Sequence, residues 1–258
     1  MQQGFDTRIV SYEYIHSVTP EDFAKLIEAI DPHDGEYILD AMCGYGAVGK
    51  GVLEKASNAN VWFLDESEIQ INRAKENVPT MDPSHFIIDS LPHDNFGDEY
   101  FDKIAIKMGL HEVSLQQHLA VLKEFHRIIK QAGKIIVWDI MLNDESQSLF
   151  QDVIRKKDEL AGFDLLVKER YFFREEEFIR NAQNAGFKTI TDFHKITSNY
   201  SSKRRLESEL KGDVTKLEEL NNFIRTRFTL ELKAKLEFKD LGDDVTFKIP
   251  KKIFILQK

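Results

Sequence analysis

Acidic side chains recur at one kind of place in this chain, just behind short apolar runs. Asp40 follows Tyr37–Leu39, Asp65 follows Val61–Leu64, and Asp89 follows His85–Ile88. Behind Asp40 stand Gly44, Gly46 and Gly49, which formally spell GxGxxG. Such glycines let a backbone turn sharply and approach a ligand, while the next helix offers unpaired N–H groups. A carboxylate ahead of the glycines would crowd a pyrophosphate but can accept hydrogen bonds from an ammonium group. Asp65 lies 19 positions beyond Gly46, where a carboxylate can take both hydroxyls of a ribose. Asp89, with Ser90 beside it, can accept from an exocyclic amine. A fourth run, Lys103–Ile106, leads into Lys107-Met108-Gly109-Leu110-His111-Glu112. His111 is a candidate general base, its ordinary pKa of about 6.5 suiting proton removal near neutrality. Glu112 is placed to orient it or to face a substrate.

These residues need a scaffold that delivers them to one edge. From about residue 19 to 195 the apolar pattern alternates between strand-like runs and helical spacing. Thr19-Pro20-Glu21-Asp22 reads as a capped helix start, and Val48–Ala56, Glu68–Asn77 and Ser114–Lys130 as further helices. In the last, Leu115, Leu119, Leu122, Phe125 and Ile129 form the expected inner face, with His118 and His126 on the surface. Helices follow at Glu145–Leu160 and Glu175–Ala185, then a strand Phe187–Phe193 and a final strand in KKIFILQK. The pattern predicts an α/β, Rossmann-like, doubly wound sheet of seven strands, whose ligands sit beyond the carboxyl ends of the strands. Residues 1–258 read as one domain. Residues 19–196 and 245–258 form its core, 1–18 an N-terminal cover, and 197–244 a helical insertion or lid before the last strand.

Composition narrows the function. The net charge is −9, but residues 1–194 carry 20 basic against 34 acidic side chains and residues 195–258 carry 15 against 10. An acidic body repels a phosphate backbone, so a nucleic-acid partner is not expected. The basic section suits docking on the acidic body or an anionic substrate, and a homodimer contact is a further use for it. One cysteine, Cys43, excludes an internal disulfide, and no His/carboxylate group has metal-ligand spacing. No apolar stretch reaches the ~20 residues of a membrane helix and the first residues do not read as a signal peptide, so a cytoplasmic protein is expected.

Taken in order, the motifs resemble those of class I S-adenosylmethionine-dependent methyltransferases. ILDAMCGYG is similar to the first motif of that family, VWFLDESEIQINRAKENV to its acidic second-strand motif and HFIIDSLP to its adenine-contacting loop. FDKIAIKMGLHEV is similar to the motif after strand four, RIIKQAGKIIVWDI to the turn before strand five, and YFFREEEFIRNAQNAGF to a later helix. LHEV and VWDIM most resemble the ubiquinone- and menaquinone-biosynthesis type of small-molecule methyltransferase. The resemblance implies S-adenosylmethionine as cofactor, S-adenosylhomocysteine as product, and methyl transfer to a small molecule by in-line displacement. It implies cofactor contacts from Asp40 (ammonium), Met42, Gly44 and Gly46, Asp65 with Glu66 (ribose), Asp89 and Ser90 (adenine), and Met108 near the sulfonium. His111 and Glu112 would be catalytic, with Tyr12, Tyr14 and His111 toward the acceptor. Two rivals are an NAD(P)-dependent oxidoreductase using the GxGxxG turn and a non-catalytic S-adenosylmethionine-binding protein. The accepting atom, be it carbon, oxygen or nitrogen, has no code in these motifs.

Overall fold

The structure, a computed structural model, describes residues 18–92 and 96–258. Tyr12, Tyr14 and all of the expected N-terminal cover except Val18 lie outside the described residues. Helix α1 (Pro20–Ile30) starts as its sequence predicts: Thr19 Oγ accepts from the Asp22 N–H at 3.1 Å, and Leu26, Ala29 and Ile30 are buried. Strand β1 (Tyr37–Ala41) and helix α2 (Ala47–Lys55) follow, then β2 (Asn60–Asp65), α3 (Glu68–Asn77), β3 (Phe86–Ile88) and β4 (Phe101–Lys107). A 3-10 turn at Leu110–Glu112 joins β4 to α4 (Leu115–Ile128), which leads into β5 (Ile129–Leu142).

The second half holds α5 (Asp144–Ala161), α6 (Asp164–Glu169), β6 (Phe173–Arg174), α7 (Glu175–Ala185) and β7 (Thr189–Ser201). Three short helices come next: α8 (Arg205–Ser208), α9 (Val214–Arg227) and α10 (Leu230–Lys235). The chain closes through β8 (Lys239–Asp240) and β9 (Val245–Gln257).

The sheet runs β3-β2-β1-β4-β5-β9-β7, parallel as far as β5, with β9 antiparallel to both neighbours. Two-residue strands β6 and β8 flank this path, so the described sheet has nine strands where seven were predicted. Because β1 pairs with both β2 and β4, the order reverses there and a crevice opens beyond the carboxyl ends of β1 and β4. Helices cover both faces. One core joins α1–α3 to α5 and the insertion, and the other packs α4 and α7 on the opposite face.

Three details differ from the sequence reading. The inner face of α4 is His118, Val121, Leu122, Phe125 and Ile128, one register step from the expected stripe, so His118 is buried and Leu115 exposed. Strand β7 extends to Ser201, pairing down to Ser201↔Thr246, where helix was expected. Its inward positions there include Ser198, a polar residue that hides the strand periodicity. The remaining insertion is continuous with the core. Leu217, Leu220 and Ile224 of α9 are buried together with Leu149, Val153 and Ile154 of α5. Ion pairs Lys156–Glu219 (2.6 Å), Lys235–Glu145 (2.6 Å) and Arg227–Asp152 tie the same surfaces.

Candidate functional site

The crevice at the β1/β4 reversal is a cavity of about 850 Å³. Its lining includes Asp40, Met42, Gly44, Asp65, Glu66, Asp89, Ser90 and Met108, along with Lys107 and Glu112. The backbone behind β1 is left-handed at Met42, Gly44 and Gly46 (φ 55°, 54° and 77°), and so is Met108 behind β4 (57°). Two non-glycine residues in this region, on neighbouring strands, hold strain of ~1–3 kcal/mol each at the site.

The acids pin these turns. Asp65 Oδ2 accepts from the Gly44 N–H at 2.8 Å and Oδ1 from the Ser67 N–H at 2.9 Å. Asp40 Oδ2 accepts from the Gly49 N–H at 2.8 Å. The helix cap belongs to Ser67, whose side chain accepts from the Gln70 N–H, and leaves the Asp65 carboxylate on the cavity wall. Asp40 is 2% exposed, and burial pushes its pKa up to about 8 against the Gly49 hydrogen bond and the nearby Lys107 cation.

The three glycines have different tasks. A Cβ on Gly44 would meet nothing within 4 Å, so this position faces open space at the cavity. A Cβ on Gly46 would lie 3.1 Å from Ala74 Cβ, and one on Gly49 would lie 2.2 Å from the Phe63 ring. Gly46 does not line the cavity, contrary to its expected contact there; its N–H closes the turn onto Cys43 O at 2.9 Å. Gly46 and Gly49 let α2 pack on the sheet.

The two catalytic candidates part company. His111 is 5% exposed and does not line the large cavity. Its Nδ1 meets Asp139 Oδ1 at 2.6 Å, its backbone N–H donates to Asp139 Oδ2 at 3.2 Å, and its ring stacks on Phe172. Burial lowers its pKa, but the charge and hydrogen bond of Asp139 and the nearby Glu112 outweigh this and raise it to about 9. The imidazole is therefore protonated at neutral pH and does not match the base expected from an unperturbed histidine. Glu112 does line the large cavity, and Arg170 grips it in a two-pronged pair, with Nε and Nη2 both at 2.7 Å.

Arg170 also donates to Asp158 at 2.9 Å, and Asp158 pairs with Lys157, which reaches Glu209 at 3.1 Å. Sequence reasoning missed this buried chain of charges, since its members lie tens of residues apart. Only Asp139, placed in β5 like the other strand-end acids, carried a readable signal. His118, expected on the surface, is neutral: burial drops its pKa to about 4, and its Nε2 meets Val113 O at 2.7 Å.

Residues 38–133 match the family described as a methyltransferase domain. A Synechocystis protein, an uncharacterized methyltransferase, is 33% identical over 112 residues, which is 43% of this chain and 50% of that protein. The demethylmenaquinone methyltransferase of Alkalihalophilus pseudofirmus is 33% identical over 150 residues, 53% of this chain and 60% of that enzyme. The chain thus spans half to three-fifths of these relatives. A ribosomal RNA large subunit methyltransferase G of Aeromonas hydrophila is also similar, at 23% over 143 residues, covering 52% of this chain and 37% of that enzyme. In fold, a Bacillus halodurans protein presumed to be a methyltransferase superposes with a TM-score of 0.76 at 17% identity, over 92% of this chain and 99% of that one. The acid-and-glycine cradle at the strand reversal thus lies within a stretch, residues 38–133, that matches a methyltransferase domain.

Proposed function

We propose that the protein transfers a methyl group from S-adenosylmethionine to a small-molecule acceptor. The observation that carries this reading is the pairing of Asp40 and Asp65 with a glycine turn at the mouth of one 850 Å³ cavity, a size that suits a cofactor with a small partner. In this reading Asp40 faces the cofactor's ammonium, Asp65 and Glu66 the ribose hydroxyls, Asp89 and Ser90 the adenine, and Met42, Gly44 and Met108 lend backbone beside the methionyl arm. The cofactor supplies a methyl already activated by positive sulfur. The protein's task is to align an electron pair behind it and exclude water, which supplies ~7–11 kcal/mol of such a barrier.

His111 as a cation and Glu112 in the grip of Arg170 are poor bases, so the pair is proposed to shape the acceptor side. The acceptor then brings its own electron pair, or loses its proton to water beforehand. Insertion 197–244, ion-paired to α5, is proposed as a fixed wall of that side rather than a mobile lid.

A ribosomal RNA acceptor, as named for the Aeromonas hydrophila relative, is the weaker reading. Residues 1–194 carry 20 basic against 34 acidic side chains, the reverse of what a phosphate backbone attracts. Calorimetry with S-adenosylmethionine, S-adenosylhomocysteine and NADH tests the reading at its base. Binding of the first two without NADH supports it, and the reverse order overturns it.

A further inference from the structure

On the far side of Glu112 lies a smaller cavity of about 30 Å³, room for one or two water-sized groups. It shares Glu112 with the cofactor cavity and is otherwise walled by His111, Arg170 and Phe172 and by residues of β5, α5, β7, β9 and the α8 segment. We propose that this smaller cavity is a subsite for a carboxylate carried by the methyl acceptor. The inference rests on the methyltransferase reading, because it assigns the far end of that acceptor.

Charge accounting around the cavity favours an anion. Each carboxylate in or behind its wall faces a cation: Glu112 and, behind it, Asp158 face Arg170, Glu209 stands 3.1 Å from Lys157, and Asp139, also behind the wall, faces His111. Arg205 is different. It is 5% exposed and lines the cavity, yet its nearest carboxylate, Glu209, stands 3.7 Å away, beyond hydrogen-bond reach. Its guanidinium lies over the Tyr200 ring, and its Nε–H has no hydrogen-bond partner among the described residues. A buried charged donor left unsatisfied is costly, so an acceptor atom belongs there.

Lys251, 2% exposed, lines the same space from β9. Burial first, then the Lys107 and Arg205 cations, push its pKa down to about 7 against the pull of Asp139 and Asp22. A planar two-oxygen anion suits so small a space better than a tetrahedral phosphate does. The apolar side chains of Ile140, Phe150 and Ile249 complete the wall, which leaves the anion as the polar end of an otherwise carbon-rich group.

The test is titration of the protein with sodium acetate at constant ionic strength, with acetamide as neutral control and inorganic phosphate as the rival anion. It is run with and without S-adenosylhomocysteine, while the Arg205 Nε–H is followed by NMR. The resonance is identified by its loss in Arg205→Lys. A saturable shift with acetate, absent with acetamide, is expected. Lys251→Met should weaken it by about tenfold or more, with S-adenosylhomocysteine affinity unchanged. No saturable shift in the wild type, equal response to acetamide, or tighter binding of phosphate overturns the subsite. Because the wild-type titration needs no variant, poor folding of a substituted protein does not blunt the test. Failure of S-adenosylhomocysteine to bind would sink the cofactor assignment instead, and the acetate shift would still be read on the protein alone.

Discussion

The two ends of the ligand crevice are built on opposite plans. On the side proposed for the cofactor, Asp40 and Asp65 hold backbone N–H groups of one short stretch, the glycine turn and the first turn of α2, within ten residues and about twenty residues of themselves. On the side proposed for the acceptor, His111, Glu112, Asp139, Lys157, Asp158, Arg170 and Glu209 hold one another through side chains brought from five separate segments. The first plan makes a shape that any chain with the same turn reproduces, which suits a ligand common to many proteins. The second makes a surface whose chemistry changes with each substitution, which suits a ligand particular to one. If this contrast is correct, substitutions on the two sides should separate cleanly into loss of binding and loss of fold.

The largest effect is expected from Arg170→Met. Removing this guanidinium strips Glu112 of its two-pronged partner and leaves Asp158 to Lys157 alone, a break in a buried ion pair that costs ~3–5 kcal/mol. In a chain of this size that lowers the melting temperature by roughly 10 °C, readable by calorimetric scanning. S-adenosylhomocysteine affinity should stay near wild type. A large loss of cofactor affinity with an unchanged melting temperature would erase the distinction between the two ends.

Asp65→Ala is the opposite case. It deletes the acceptor that fixes the Gly44 N–H and, in the proposed pose, the one that meets the ribose. At ~1.5–3 kcal/mol per charged hydrogen bond, binding should weaken about a hundredfold by isothermal titration, with only a modest change in melting temperature.

The same contrast decides what could be read in advance. Asp40, Gly44, Asp65 and Asp89 were legible because each sits at or just beyond the carboxyl end of a strand, and strand ends converge in this architecture whatever the loops do. Gly46 and Gly49 looked alike in sequence. Their separation into packing positions depends on Phe63 and Ala74 across the helix–sheet contact. His111 was found by position, but its chemistry was misjudged, since the group that sets it, Asp139, comes from a different strand 28 residues on. Arg170 and Arg205 had no local signal, because the surroundings of a buried arginine, carboxylates for the first and the Tyr200 ring for the second, are brought to it by tertiary packing. Strand β7 ran past its expected end for a related reason: Ser198 occupies an inward position beside a polar cavity, so hydrophobic alternation is broken there.

His111 gives a narrower test of the acceptor side, through pH. Its pKa is raised in the folded protein, from the ordinary 6.5 to about 9. The pairing with Asp139 therefore adds stability that is fully present below pH 6.5 and is lost as pH rises through 9. By linkage the change is roughly 3 kcal/mol across that window. His111→Gln should remove this fall in stability between pH 6.5 and 9 while leaving cofactor affinity intact. If urea melts of wild type and variant keep a constant difference across the window, the imidazole is not held as a cation and the case for a general base reopens.

Asp40 is the matching titration on the cofactor side, and its sign differs in consequence. Here a carboxyl is raised to about 8, so the folded protein holds a proton that the unfolded chain releases near pH 4. Stability therefore declines as pH climbs from 4 to 8, and the protonated form is the one present in the empty site at neutrality. An ammonium placed beside Asp40 favours the ionised form, so cofactor binding must expel that proton. Affinity for S-adenosylhomocysteine should then rise with pH between 6 and 8, by at most about tenfold per unit, or ~1.4 kcal/mol. Above about 8 the gain should stop, because Asp40 is then ionised in the empty site as well and binding expels no proton. Asp40→Asn keeps an oxygen for the Gly49 N–H but carries no charge. It should flatten the pH dependence, weaken binding at pH 8, and raise the melting temperature there. Proton release measured by calorimetry in buffers of different ionisation enthalpy checks the linkage directly. Release of no proton at pH 7 would mean that Asp40 is already ionised, and that burial at this strand end is offset by more than Gly49 and Lys107.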